Sequence, residues 1–354
     1  MPDDVAIREY RPSDAAEVAR MWNDSDDMWP GGFTRGVPLT AERVQADLER
    51  GKMIALYLAV VDGRVAGYCR LTESREEDGV AYVALLNVHP GYQRRGYARD
   101  LLRASLERTC REGYDRLDLH TWPGNMRAVP LYKKAGYFWV RETNVHMENY
   151  LPLLLRTPFL EDFFARHDWY RTIVRDLSVR EDDVTLGGMR IYSYRWEAGG
   201  EAYEATIDAE GKGLTALRTP TWRVACLVPE YRLYKGMPRP MRWEIERLDG
   251  GEGRVTVLAE GEHGLNLKHE AQANVRGLFT TEATATADPE AERRPVGLPA
   301  QRINTTIVLD GTLLRLTTGQ RIGPAVELIP EPRFWSVPGA TKPLHLRLRN
   351  HLDV

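Results

Sequence analysis

The chain has 354 residues, 43% of them hydrophobic, and a formal net charge of −3. That is long enough for two ordinary domains and lacks the basic surplus that a nucleic-acid or anionic-membrane partner calls for. Met1-Pro2-Asp3-Asp4 has neither the basic nor the apolar region of a secretory signal, and the longest apolar run, Met53 to Val61, falls far short of the ~18 residues that a spanning helix needs. A cytoplasmic protein is therefore expected, with no membrane and no nucleic acid as partner. Cys69, Cys110 and Cys226 stand far apart without a CxxC pair, so neither a disulfide framework nor a metal site is expected.

In chain order, residues 54–63 (IALYLAVVDG) read as a strand ending in an Asp62-Gly63 turn, and residues 64–73 (RVAGYCRLTE) return beside it as a hairpin. AYVALLNV (81–88) is a further apolar strand. From Gly96 the period changes: Ala98, Leu101, Leu102, Leu106 and Cys110 fall on one helical face, with Arg99, Arg103, Glu107 and Arg108 on the other, and Gly113 ends the helix. RLDLHTW (116–122) alternates as a strand, and Asn125 to Ala135 reads as a short helix with Asn125 as its cap. This order predicts an α/β (α+β) layer fold over residues 1–148. A helical linker follows over 149–180. Beyond it, segments such as MRIYSYRW, EAYEATID, RWEIERL and RVTVLAE are separated by Gly-rich turns. Ten to twelve such strands predict an antiparallel β-sandwich-like or barrel domain over 181–354. No repeat of fixed period appears.

The chemistry concentrates in VHPGYQRRGYA (88–98), where two arginines and a glycine stand between a strand and a helix. A helix N-terminus leaves N–H groups without partners and carries partial positive charge. A glycine-containing turn lets successive N–H groups point at one anion, and Arg94 and Arg95 add cationic forks suited to phosphate oxygens. From these residues alone the alternative is an ordinary solvated loop.

LLNVHPGYQRRGYARDLL resembles the acetyl-CoA-binding segment of the GNAT acetyltransferases, with Gln93, Gly96 and Ala98 in the places of the family's Gln/Arg-x-x-Gly-x-Gly/Ala pattern. NMRAVPLYKKAGY resembles the family's second signature through Asn125, Ala128, Leu131, Tyr132, Lys134, Gly136 and Tyr137. The resemblance covers about residues 4 to 145 and implies a GNAT fold with a mixed central sheet. It implies that acetyl-CoA lies along the strand, with its pantetheine arm beside the backbone of Leu86, Asn87 and Val88 and bonded by Asn125. The pyrophosphate would sit on the N–H groups of Gln93, Arg94, Arg95, Gly96, Tyr97 and Ala98. Tyr132 would protonate the departing thiolate, the alternative being a packed aromatic on an amphipathic helix. The implied activity is N-acetyl transfer to a primary amine by direct attack, on a small-molecule or peptide acceptor, with backbone N–H near Val88 stabilising the oxyanion.

Many members of the family carry a glutamate early in this strand, expected near position 82. This chain has Tyr82, with Ala84 two residues on, so the general base is left unassigned. Asp26, Asp27 and Trp29, in the loop where the family holds its acceptor, are candidate substrate contacts or simply a solvated loop. His89, His120 and His146 show no ligand spacing and read as structural or exposed. Two other functions compete: a non-catalytic acetyl-CoA-binding regulatory module, motivated by the missing glutamate, and a carbohydrate-binding protein using Trp196, Trp222, Trp243 and Trp335 as a stacking platform. A homodimer is also open.

Overall fold

The computed structural model describes residues 5–29, 31–32, 34–49, 52–182, 184–186, 189–234, 237–262, 264–287, 301–323, 326–331 and 345–350. The chain divides between residues 182 and 183 into two units. In the first, strands β1 (Val5–Glu9), β2 (Met53–Val61), β3 (Arg64–Glu73), β4 (Val80–Val88), β5 (Arg116–His120), β6 (Phe138–Trp139) and β7 (His146–Asn149) form one sheet in the order β1-β2-β3-β4-β5-β7-β6. Among the described residues the α-helices are α1 (Ala15–Asp24), α2 (Ala41–Glu49), α3 (Tyr97–Arg111), α4 (Val129–Lys134), α5 (Leu151–Leu154), α6 (Pro158–Arg166) and α7 (Trp169–Thr172). A short extended segment, β8 (Ile173–Val174), follows.

The β2–β3 hairpin forms as its sequence predicts, since Asp62 and Gly63 take φ of 49° and 78°, the left-handed pair a tight two-residue turn needs. Strand alternation then sorts the apolar residues between two faces. Leu56, Leu58 and Tyr68 face a core completed by Val18, Met21 and Trp22 of α1 and Val44 and Leu48 of α2. Cys69 faces α3, where its sulfur meets Ser105 Oγ at 3.1 Å. The buried stripe of α3 includes Ser105 and Thr109 as well as Leu101, Leu102 and Leu106. Both hydroxyls bond back to carbonyls four residues earlier, which satisfies them inside an apolar contact.

Two local expectations change. The strand predicted over 116–122 stops at His120. The helix predicted over 125–135 begins only at Val129, because residues 122–128 close instead as successive turns, Asn125 N–H to Trp122 O and Ala128 N–H to Asn125 O. Pro130, with no N–H to lose, suits the first turn of this later start. Asn125 therefore caps nothing, and its Nδ2 donates to Thr121 Oγ1 at 2.9 Å.

Residues 149–180 form α5, α6 and α7 with extended chain after them. Lys133 is buried and donates to Arg180 O and to Asp182, at 2.8 and 3.1 Å, which ties the end of this stretch to α4.

The second unit consists of β9 (Thr185–Leu186), β10 (Met189–Ala198), β11 (Glu201–Asp208), β12 (Gly213–Arg218), β13 (Trp222–Leu227), β14 (Arg232–Tyr234), β15 (Arg239–Arg247), β16 (Gly253–Gly261), β17 (Leu265–Asn266), β18 (Lys268–Val275), β19 (Leu278–Ala287), β20 (Gln301–Leu309), β21 (Thr312–Gly323), β22 (Val326–Glu331) and β23 (His345–Asn350). It exceeds the predicted ten to twelve strands because β9, β14 and β17 are only two or three residues long. One sheet runs β17-β19-β15-β13-β12-β11-β10, with β9 beside β10; another runs β14-β21-β20-β16-β18; β22 pairs with β23. The two larger sheets meet through side chains: Trp243 Nε1 donates to Thr305 Oγ1 at 3.0 Å, and the hydroxyls of Thr215 and Thr318 lie 3.1 Å apart.

Trp196 and Trp243 are wholly buried, and Trp222 is buried beneath the Arg247 guanidinium, 4.7 Å from its ring. These three indoles fill the core and form no exposed stacking platform, which removes the residues that motivated a sugar-binding reading. Trp335 lies outside the described residues.

Candidate active site

The site begins where two strands part. β4 and β5 run parallel only over Val80–Tyr82 against Arg116–Asp118. Just beyond, β4 carries a bulge: Val83 opposes Leu71 and Leu85 opposes Arg70, so Ala84 has no counterpart on β3. β4 stays paired with β3 as far as Val88, leaving its other edge open from Val83 onward. The N–H of His89 bonds Ala66 O. Because successive backbone groups of a strand alternate in direction, those of Val88 and Leu86 point to the open side and those of Asn87 towards β3. Gly67 permits this pairing, since a Cβ there would stand 3.0 Å from Asn87 O.

The chain then turns into α3. Gln93 reaches back, its Nε2 donating to Val88 O at 3.3 Å. Arg94 takes φ of 65° and Gly96 φ of 93°. Left-handed residues so close together rotate neighbouring N–H groups towards one point. Gly96 is the N-cap of α3 and brings no side-chain acceptor, so the helix opens with amides that no capping side chain serves. Arg99, one turn on, folds back until its guanidinium lies 3.1 Å from where a Cβ on Gly96 would be.

The open edge, the turn and α4 enclose a cleft of about 1190 Å³. Leu86, Asn87, Val88, Gln93, Arg94, Gly96, Tyr97, Ala98 and Asn125 all line it; Arg95 does not, and instead places its guanidinium 5.6 Å from the Tyr92 ring. Among the described residues the cleft is lined by Arg94, Arg99 and Arg127 and by no carboxylate. Tyr132 lines it while only 7% exposed, with Tyr137 edge-on at 6.1 Å. Burial holds the Tyr132 hydroxyl well above the ordinary tyrosine range, reinforced by Cys69 and Tyr82. Asn87, also 7% exposed, stands directly across from Tyr68 of β3.

The acceptor-loop candidates separate. Trp29 lines the cleft and packs against Trp122, ring centres 5.9 Å apart. Asp26 accepts the Thr34 N–H at 2.5 Å, so its carboxylate shapes the loop; neither it nor Asp27 lines the cleft.

Residues 18–137 match the model of the acetyltransferase (GNAT) family. Residues 18–137 form a GNAT acetyltransferase domain. Over 117 residues the chain is 32% identical to the N-acetylaspartate synthetase of Danio rerio, a match covering 32% of this chain and 40% of that protein's length. Among solved structures, a GNAT-family acetyltransferase from Streptococcus pneumoniae is 23% identical, covering 41% of this chain and 98% of its own, with a TM-score of 0.36. An N-acetyltransferase from Thermoplasma acidophilum, solved in complex with coenzyme A, is 14% identical, covering 42% and 99%, with a TM-score of 0.33.

The first unit also brings together residues to which the sequence analysis gave no joint role. Where β4 and β5 separate, Tyr82 Oη and His120 Nδ1 are 3.2 Å apart. His120 stacks on His146 with ring centres 4.3 Å apart, and His146 Nε2 lies 3.2 Å from Asp118 Oδ2. Register explains the stack, because His120 and His146 are direct partners across β5 and β7. Arg116, buried beside them, pairs with Asp118 and Glu77 at 2.8 and 2.6 Å, with Glu148 at 3.8 Å. A second cleft of about 1020 Å³ opens here and shares Ala84 and His120 with the first.

Burial opposes protonation of His146, but the hydrogen bond and charge of Asp118, with Glu148, outweigh it and raise its pKa. Burial and the neighbouring His146 lower that of His120, against the pull of Glu76 and Asp118. Alternation along Arg116, Asp118 and His120 is the one part of this group visible in the sequence; the fourth member comes from a strand 26 residues later than His120.

Proposed function

We propose that the GNAT domain binds acetyl-CoA in the arginine-lined cleft and transfers the acetyl group to a primary amine. The observation that carries this reading is the join of an open strand edge to an uncapped helix start, within a cleft lined, among the described residues, by three arginines and no carboxylate. An anionic nucleotide with a long amide-bearing arm matches that surface in charge and in hydrogen-bonding pattern. The amides of residues 94–98 and the guanidiniums of Arg94 and Arg99 hold the pyrophosphate, the Gln93 N–H being already bonded to Pro90 O at 3.4 Å. Backbone groups of Leu86 and Val88, with Asn87 between them, and the Asn125 amide serve the pantetheine. The curated relative's 40% coverage leaves its acceptor a class to test rather than an assignment.

Bound acetyl-CoA supplies a thioester carbonyl carbon for amine attack, with coenzyme A as the leaving group. The Val88 N–H, pointing to the open edge, stabilises the oxygen on which charge develops. Tyr132, kept protonated by burial, gives its proton to the departing sulfur.

The full chain incubated with acetyl-CoA and a panel comprising L-aspartate, tyramine, spermidine and a peptide N-terminus is expected to release coenzyme A thiol and form an equal amount of N-acetylated product from at least one member, read by mass spectrometry. Acetyl-CoA bound tightly with no N-acetyl product from any of them would replace this reading with the non-catalytic one.

A further inference from the structure

The domain has no carboxylate where the resemblance led one to expect the general base, yet the structure places a titratable group at the junction of its two clefts. His120 is exposed, lines both clefts, and is bonded to Tyr82 on one strand and stacked on His146 of another. We propose that His120 is the general base of the reaction, taking the proton that the attacking amine loses, with the amine approaching from the second cleft. The inference rests on the acetyltransferase reading above and supplies the group that reading lacked.

Three features argue for it. The first is position: Ala84 and His120 are common to both clefts, so a molecule in the second cleft meets the acetyl-bearing cleft at this imidazole. The second is the charge state. A base must be neutral before it acts, and the groups around His120 settle that. Burial and then His146 work against its protonation, while Glu76 and Asp118 work for it, and the balance favours the neutral ring. Asp118 meanwhile favours the protonated form of His146 over its burial, and Arg116 pairs with Asp118 and lies near Glu148. The third is the route for the proton. With the Tyr82 hydroxyl accepting from Nδ1–H, the Nε2 lone pair receives the proton directly. With Tyr82 donating to Nδ1, the phenol passes its own proton to the ring and takes one from the amine. Either tautomer yields the same account.

The step balances. The amine nitrogen forms a bond to the acetyl carbon as the carbon–sulfur bond breaks; sulfur leaves with the electron pair and takes the proton of Tyr132. The proton lost by nitrogen goes to the Tyr82–His120 pair. Solvent then removes it from His120 and restores the one on Tyr132.

The test uses the full chain with the amine panel above, measuring kcat/KM against pH together with coenzyme A affinity by calorimetry. The wild-type profile is expected to rise on an acidic limb below the ordinary histidine value of about 6.5. His120→Gln should lower kcat about 100-fold and abolish that limb, with the coenzyme A Kd within about 2-fold of wild type. His146→Gln removes the positive neighbour, so the limb should move to higher pH while His120 still works. A packing role for His120 would leave the shape of the profile alone. If amines are acetylated and His120→Gln keeps both its acidic limb and its rate, the inference is wrong and the acetyltransferase reading stands. If no amine is acetylated, both fall.

Discussion

Replacing Gly96 with valine is expected to weaken coenzyme A binding about 100-fold, close to 2.7 kcal/mol. Gly96 adopts φ of 93°, a region where a β-branched side chain costs about 1–3 kcal/mol of strain. The chain relieves that strain by turning the peptide, and with it the N–H groups aimed at the cleft. The new side chain also starts 3.1 Å from the Arg99 guanidinium, so it displaces a cation from the same spot. Gly113→Val provides the matched control. Gly113 has φ of 86° and open space around its missing Cβ, and it closes the far end of the same helix. That variant should lose stability while its coenzyme A Kd stays at the wild-type value. Calorimetric titration of both variants checks the pair; equal loss of affinity in the two would show that strain alone, not the cradle, was being measured.

Tyr132→Phe is expected to reduce kcat about 100-fold with the KM for acetyl-CoA changed less than about 3-fold. The substitution keeps the ring and its edge-on contact with Tyr137 and removes only the hydroxyl. The sign of the pH effect follows from its surroundings. Burial, and after it Cys69 and Tyr82, hold the phenol protonated above the ordinary range near 10, so the proton-donating form persists throughout the neutral range. The alkaline limb of wild-type kcat should therefore lie above that ordinary value and be absent from the phenylalanine variant. An unchanged kcat would reduce Tyr132 to a packing residue.

Local signals carried much of this structure. The Asp62-Gly63 turn, the helical period after Gly96 and the strand leading to Val88 depend on near neighbours, and each forms where the residues point. The cradle was legible for the same reason: a turn and the first turn of a helix are contiguous in sequence. What differed depended partly on local turn geometry and partly on pairing at a distance. Asn125 read as a cap because its own neighbours permit one, and the later start of α4 follows from Pro130 and the turns before it. His120 and His146 showed no spacing as a pair, since their stack arises from the register of β5 against β7 and has no trace in either segment alone. The same limit concealed the bulge at Ala84, which exists only relative to β3. In the second unit the strand pattern was plain, and the burial of its tryptophans required both sheets to be in place.

The central claim is that the pyrophosphate of coenzyme A sits on the amides between Gln93 and Ala98. Hydrogen–deuterium exchange of the full chain, with and without saturating coenzyme A, measures this at the segment itself. The account predicts that exchange slows most over residues 93–100, with lesser slowing along 83–88, and that Gly96→Val loses most of the effect at the same ligand concentration. Coenzyme A demonstrably bound while those amides exchange as fast as before, or protection confined to some other segment, would contradict it.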